Sequence, residues 1–143
     1  MTREIKFRAW DKENKSMINE VWEIGLGDKN NPETWLVGDD RKTDSFELMQ
    51  YTGLTDFNGK KVFEGDILIH SEDIRRLDFD FDRITSWQII YEKPKYTGKP
   101  ILKGSLAGCS YLALENLSLK GRKYGYVIIG NIYQNPELLE VVK

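Results

Sequence analysis

Thr55-Asp56-Phe57-Asn58-Gly59-Lys60-Lys61-Val62-Phe63-Glu64-Gly65-Asp66-Ile67-Leu68-Ile69 holds two turn signals set among short apolar runs. Asn58-Gly59 is the preferred pair for a two-residue type I′ turn, because both central positions need positive φ and these residues adopt it at least cost. A tight hairpin therefore joins Thr55-Asp56-Phe57 to Lys60-Lys61-Val62-Phe63. Glu64-Gly65-Asp66 reads as a second turn, feeding the apolar strand Ile67-Leu68-Ile69.

Upstream the same β pattern continues. Residues 4–10 alternate, with Ile5, Phe7 and Ala9 on one face and Lys6, Arg8 and Trp10 on the other, until the polar residues 11–15 interrupt before Met17 and Ile18. That is a hairpin signal. Val21-Trp22-Glu23-Ile24, Thr34-Trp35-Leu36-Val37 and residues 46–51 read as further strands, separated by a loop over residues 28–32 and a charged loop over residues 38–44. Downstream, Leu77-Asp78-Phe79-Asp80-Phe81-Asp82 alternates strictly, and Trp87-Gln88-Ile89-Ile90-Tyr91 and residues 124–129 read as strands. Residues 92–100, with two prolines, read as a long basic turn, and residues 101–119 fit a helical stripe or short strands equally well. Asn135-Pro136-Glu137 signals a short C-terminal helix through Glu140, with Asn at the N-cap, Pro at the first helical position and an acid facing the dipole.

The fold expected from this pattern is mainly β: a hairpin-rich small barrel over residues 51–143, an N-terminal β-subdomain over residues 1–50 and the short C-terminal helix. Gly65-Asp66 opening into an apolar strand resembles the start of SH3-like barrels. Gly53, Asn58, Gly59, Gly65 and Gly130 are expected at turns or close approaches, and Phe7, Tyr51, Phe63 and Ile132 in the core.

The chain of 143 residues suits one compact domain or two small β-subdomains, and 40% hydrophobic with 31% charged residues is ordinary for a globular protein. No apolar run reaches the ~20 residues of a membrane span, and Met1-Thr2-Arg3-Glu4 runs directly into a strand-like pattern, so a cytosolic protein without a signal peptide is expected. One cysteine, Cys109, and one histidine, His70, can form neither an internal disulfide nor a Cys/His zinc site. Net charge is −2, unevenly spread: residues 1–82 hold 19 acids and 12 bases, residues 83–143 hold 4 acids and 9 bases. Such a split suggests either complementary halves of one fold or an interaction surface.

No catalytic constellation emerges. Asp78, Asp80 and Asp82 lie on one strand face about 6.6 Å apart, too far to converge on one ion without a bend, so they read as the solvated face of an edge strand and no metal is expected. His70 would be the obvious general base but reads as a strand-terminal histidine, and Cys109 as a small buried hydrophobe with no cationic neighbour. Phosphate-binding, dinucleotide and nucleophile-elbow motifs are absent, so no cofactor is expected. Lys93, Lys95, Lys99 and Lys103 fall around Tyr91 and Tyr96, and Lys120, Arg122 and Lys123 precede Tyr124 and Tyr126. This mixture of cations and rings suits single-stranded nucleic acid, although tyrosines in strands usually pair across the sheet and a pI of 5.5 is low for such a protein. Trp10, Trp22 and Trp35 are large side chains of the kind enriched in protein interfaces.

Three segments in this order resemble the YopX-like family of phage and prophage proteins: Lys6-Phe7-Arg8-Ala9-Trp10-Asp11, then Gln50-Tyr51-Thr52-Gly53-Leu54 running to Glu64-Gly65-Asp66, then Ile128-Ile129-Gly130-Asn131-Ile132-Tyr133 leading into Asn135-Pro136-Glu137-Leu138-Leu139. The resemblance implies a fold and a phage or prophage setting, in the cytosol of a bacterial host, but no established biochemical activity, and the residues supply no catalytic constellation. The expectation is a non-enzymatic protein-interaction or self-associating module, with an unknown protein or a second copy as partner. Single-stranded nucleic acid binding by the basic C-terminal part is the alternative.

Overall fold

The computed structural model describes residues 4–27, 29–30, 33–76, 84–92, 95–101, 111–114 and 123–139. They are mainly β, and the chain divides into two compact units, Met1–Tyr51 and Thr52–Lys143.

In the first unit, β1 (Phe7–Asp11) pairs antiparallel with β2 (Ser16–Ile18) on one side and with the start of β6 (Phe46–Thr55) on the other. A second sheet has the order β3 (Val21–Gly25), β4 (Trp35–Gly38), β5 (Arg41–Thr43). Ala9, Ile18 and Leu36 are fully buried together, with Val21 and Phe46 packed against them. β1 is flanked on both edges, and Arg8 on it is buried. Phe7 is only half-buried, while Tyr51 is core.

The charged loop expected over residues 38–44 is instead a hairpin, β4 to β5, with Gly38 paired to Arg41. Its two loop residues, Asp39 and Asp40, have φ of 48° and 63°, the positive values of a type I′ turn. Asp39 holds this conformation because its carboxylate accepts the Asn19 N–H at 2.7 Å and the Glu20 N–H at 3.0 Å. Asp40 is exposed and has no such compensation on its side chain. Asp40→Gly is therefore expected to stabilise the protein by about 0.5–1 kcal/mol, seen as a higher urea midpoint. A lower midpoint would show that the Asp40 side chain holds the turn.

In the second unit, β7 (Lys61–Phe63) follows the hairpin, and a four-stranded antiparallel sheet has the order β10 (Lys95–Ile101), β9 (Ser86–Glu92), β8 (Asp66–His70), β11 (Tyr126–Asn131). One core gathers Val62, Leu68, Ile89, Leu112 and Leu114, and another gathers Ile69, Ile84 and Val127. β8 thus buries both faces, which is why Ile67-Leu68-Ile69 is a continuous apolar run without alternation. Phe63 is core as expected, but Ile132 is half-buried.

The residue 56–60 hairpin forms, with a different turn. Gly59 has φ of 84°, whereas Asn58 is not at positive φ, the Gly59 N–H donates to the Asp56 carbonyl at 3.0 Å and the Asp56 N–H to the Lys60 carbonyl at 2.8 Å. This is the three-residue loop with glycine in the left-handed bulge position. A Cβ on Gly59 would meet nothing within 4 Å, so the glycine is needed for its backbone alone. Gly59→Val is expected to cost about 1–3 kcal/mol through φ strain, read from thermal melting. An unchanged melting temperature would mean that the loop accommodates a β-branched residue by changing turn type.

Two further expectations are corrected. The long basic turn over residues 92–100 is largely strand β10, paired with β9 from Lys95↔Glu92 to Ile101↔Ser86. Its Pro100 is tolerated because β10 ends the four-stranded sheet and, among the described residues, is bridged on its outer side only at Gly98, to Leu112. At the C-terminus, a four-residue 3-10 turn, Pro136–Leu139, stands in place of the start of the helix. The Asn135 side chain reaches back to accept the Asn131 N–H at 3.2 Å instead of capping forward, and the Leu138 N–H closes onto the Asn135 carbonyl three residues earlier.

Candidate interaction surface

The sequence-predicted cationic residues do not form one continuous track among the described residues. Lys93, Lys103, Lys120 and Arg122 lie outside them, as do Asp78, Asp80, Asp82 and Cys109. Lys95 and Lys99 sit on β10 opposite Glu92 and Gln88, both exposed, whereas Tyr96 pairs with Tyr91 on the opposite face and packs against the core. The Tyr91 and Tyr96 rings are 5.0 Å apart. Lys123 lies 5.5 Å from the centre of the Tyr124 ring, next to His70, whose ring is 6.2 Å from Tyr124 and edge-on to Tyr126 at 5.2 Å. Sequence reading did not connect His70 with those tyrosines; the cross-strand pair Tyr126↔His70 does. His70 Nδ1 accepts the Glu72 N–H at 3.2 Å, and the hydroxyl of adjacent Ser71 accepts the Gly125 N–H at 3.1 Å. Both side-chain acceptors thus serve the backbone.

The motif residues that carry most local order are buried Asp and Asn side chains. Asp11, fully buried, accepts the Glu13 and Asn14 N–H groups at 3.1 Å each and the Asn14 side-chain amide at 2.9 Å, with the Arg41 guanidinium 3.6 Å away. Burial pushes its pKa upward, but the Asn14 and Glu13 hydrogen bonds and the Arg41 charge outweigh that and hold it below the ordinary 3.8. Asp56 accepts the Asn58 and Lys60 N–H groups at 2.9 Å each and that of Ile128 at 3.0 Å. Asp66 accepts the Phe63 N–H at 2.8 Å across the turn that contains Gly65, at φ 89°. Asn131 accepts the Tyr133 and Gln134 N–H groups at 3.0 and 2.8 Å. Each satisfies backbone donors that a reversing chain leaves unpaired. Asp11, Asp56 and Asn131 head their turns and Asp66 closes its own, a signal carried in the sequence beside the glycines.

What remains for function is an apolar strip on the first unit. Trp10 is half-buried on β1, and the half-buried indole of Trp35 occupies the space a Cβ on Gly25 would fill, with Lys42 Nζ 4.7 Å from its centre. Trp22, by contrast, is 55% exposed on β3, followed by exposed Ile24 and Leu26. Beside it lies a groove of about 320 Å3 lined by Ile5, Lys6, Phe7, Glu20, Val21 and Trp22. Glu23 on the same strand and Glu20 just before it are exposed. Among the described residues no group of three His, Cys, Asp or Glu could hold a metal, and no helix is long and apolar enough to cross a membrane.

No curated protein matches the chain. Among solved structures it is similar to the crystal structure of protein EF1440 from Enterococcus faecalis, at 28% identity and a TM-score of 0.62, covering 97% of this chain and 100% of that one. The family model described as YopX protein matches residues 6–140. With that match spanning nearly its whole length, the chain belongs to the YopX family.

Proposed function

We propose that this chain is a non-enzymatic, phage- or prophage-encoded interaction module that works in the host cytosol and engages a protein partner through the apolar strip on β3. The supporting observation is Trp22 standing 55% exposed beside Ile24 on a strand where such side chains are usually buried. The reading carries with it an SH3-like assignment of the second unit, supported by Gly65-Asp66 opening into the buried strand β8 of a four-stranded antiparallel sheet. Affinity capture from host lysate tests it, with nuclease-treated and untreated arms and a Trp22→Lys/Ile24→Lys variant. The wild type is expected to retain a nuclease-resistant protein that the variant loses, with both melting within about 2 °C of each other, since the substituted side chains are surface ones. Capture that survives in the variant would sink the assignment to β3.

Single-stranded nucleic acid binding is the second reading, and the exposed Tyr124 with Lys123 above it favours that place over Tyr96. The excess of acids over residues 1–82 opposes it, so no binding is expected at physiological salt. Micromolar binding that weakens on Tyr124→Ala would promote this reading.

A further inference from the structure

We propose that the partner enters as an extended strand added to the open edge of β3, presenting a Lys or Arg to Glu23 between two apolar side chains. This rests on the protein-interaction reading of the same strip and adds the partner's chemistry. Among the described residues β3 is an edge strand paired only with β4. Its outer N–H and C=O groups form a template for one more strand. Edge strands are normally blunted by proline, charged side chains or β-bulges; β3 has an irregularity between Val21 and Glu23 and one charge, Glu23, but its other side chains do not follow that pattern. β3 instead carries Trp22 and Ile24 exposed, and Leu26 just beyond its end is 83% exposed.

Register fixes the pattern the added strand must show. After an irregularity between Val21 and Glu23, three consecutive residues pair regularly with β4: Glu23↔Val37, Ile24↔Leu36 and Gly25↔Trp35. Glu23 and Ile24 therefore point to opposite faces. A residue added opposite Glu23 shares its face, while its neighbours share the face of Ile24; Val21, paired with Gly38 two residues from Leu36, is on that face too, and the groove it lines has room for an aliphatic side chain. The required pattern is apolar, basic, apolar.

Charge selects the cation. Glu20 and Glu23 are exposed on and beside β3, and Asp39, at the neighbouring turn, accepts the Glu20 N–H with Asp40 next to it. Lys6 is the groove's cation. Four carboxylates outnumber Lys6 and the partly buried Arg41, which is turned to Asp11, Ser16 and Met17, so this edge is acidic and a basic strand is steered to it while an acidic one is repelled. The same charges disfavour a second copy: two β3 strands paired about Glu23 would set Glu23 against its own counterpart, and like charges directly opposed are destabilising.

The test uses the intact protein and two peptides of about ten residues, one alternating Val with Lys and one alternating Val with Glu. The lysine peptide is expected to bind and to slow amide exchange over Val21–Gly25, with Glu23→Lys weakening it about tenfold or more while favouring the glutamate peptide. Trp22→Ala should abolish binding. Equal binding of the two peptides, binding without amide protection, indifference to Glu23→Lys, or dimerisation through β3 in sedimentation would each overturn the proposal. If neither peptide binds while lysate capture still requires Trp22 and Ile24, the strand proposal fails and the broader reading stands. Loss of both results removes both.

Discussion

Asp56→Ala is expected to lower stability by about 3 kcal/mol or more, a fall in melting temperature on the order of 10 °C for a chain of this size. The carboxylate is 2% exposed and satisfies three backbone N–H groups, two within its own loop and one on β11. Asn58 and Lys60 are exposed, so water can replace part of what they lose. Ile128 lies at the irregularity in the β8–β11 ladder, where its N–H depends on Asp56. Left unpaired, that donor carries the full desolvation penalty. Asp56→Asn, which keeps one good acceptor, should fall between wild type and Asp56→Ala. An Asp56→Ala protein melting within about 2 °C of wild type would show that the turn stands without its carboxylate.

Asp11→Ala should cost about 2–3 kcal/mol, for it removes the acceptor of the Glu13 and Asn14 N–H groups, of the Asn14 side-chain amide and, at 3.5 Å, of the Thr43 hydroxyl, and takes away the carboxylate beside Arg41. The wild-type residue also gives a pH signature. Its folded pKa lies below the unfolded 3.8, so the folded state binds the proton less readily than the unfolded one. The contribution is complete above the unfolded value and is lost as pH falls through the lower, folded value. Urea midpoints measured from pH 7 down to about pH 2.5 should therefore drop for wild type, and the Asp11→Asn variant should show a shallower drop below about pH 4. Parallel acid limbs for the two proteins would contradict this account.

The strands centred on Ala9, Leu36, Leu68, Ile89 and Val127 could be read from the chain, because local alternation or an apolar run marks them whatever they pack against. So could the hairpin after Thr55, since Asn58-Gly59 favours a reversal through backbone sterics alone. Its turn type was not legible: Asp56 reaches Ile128, 72 residues away, and only the folded sheet brings that N–H within range. β10 escaped for a similar reason. Lys95, Gly98 and Pro100 are poor strand formers individually, and pairing with β9 makes them one. At the candidate surface the limit was sharper. Trp10, Trp22 and Trp35 look alike in sequence, yet one sits half-buried on a central strand, one covers a glycine, and one faces solvent from an edge. Strand identity comes from residues a few positions apart, whereas exposure depends on which strands end up as neighbours, a property of the sheet as a whole.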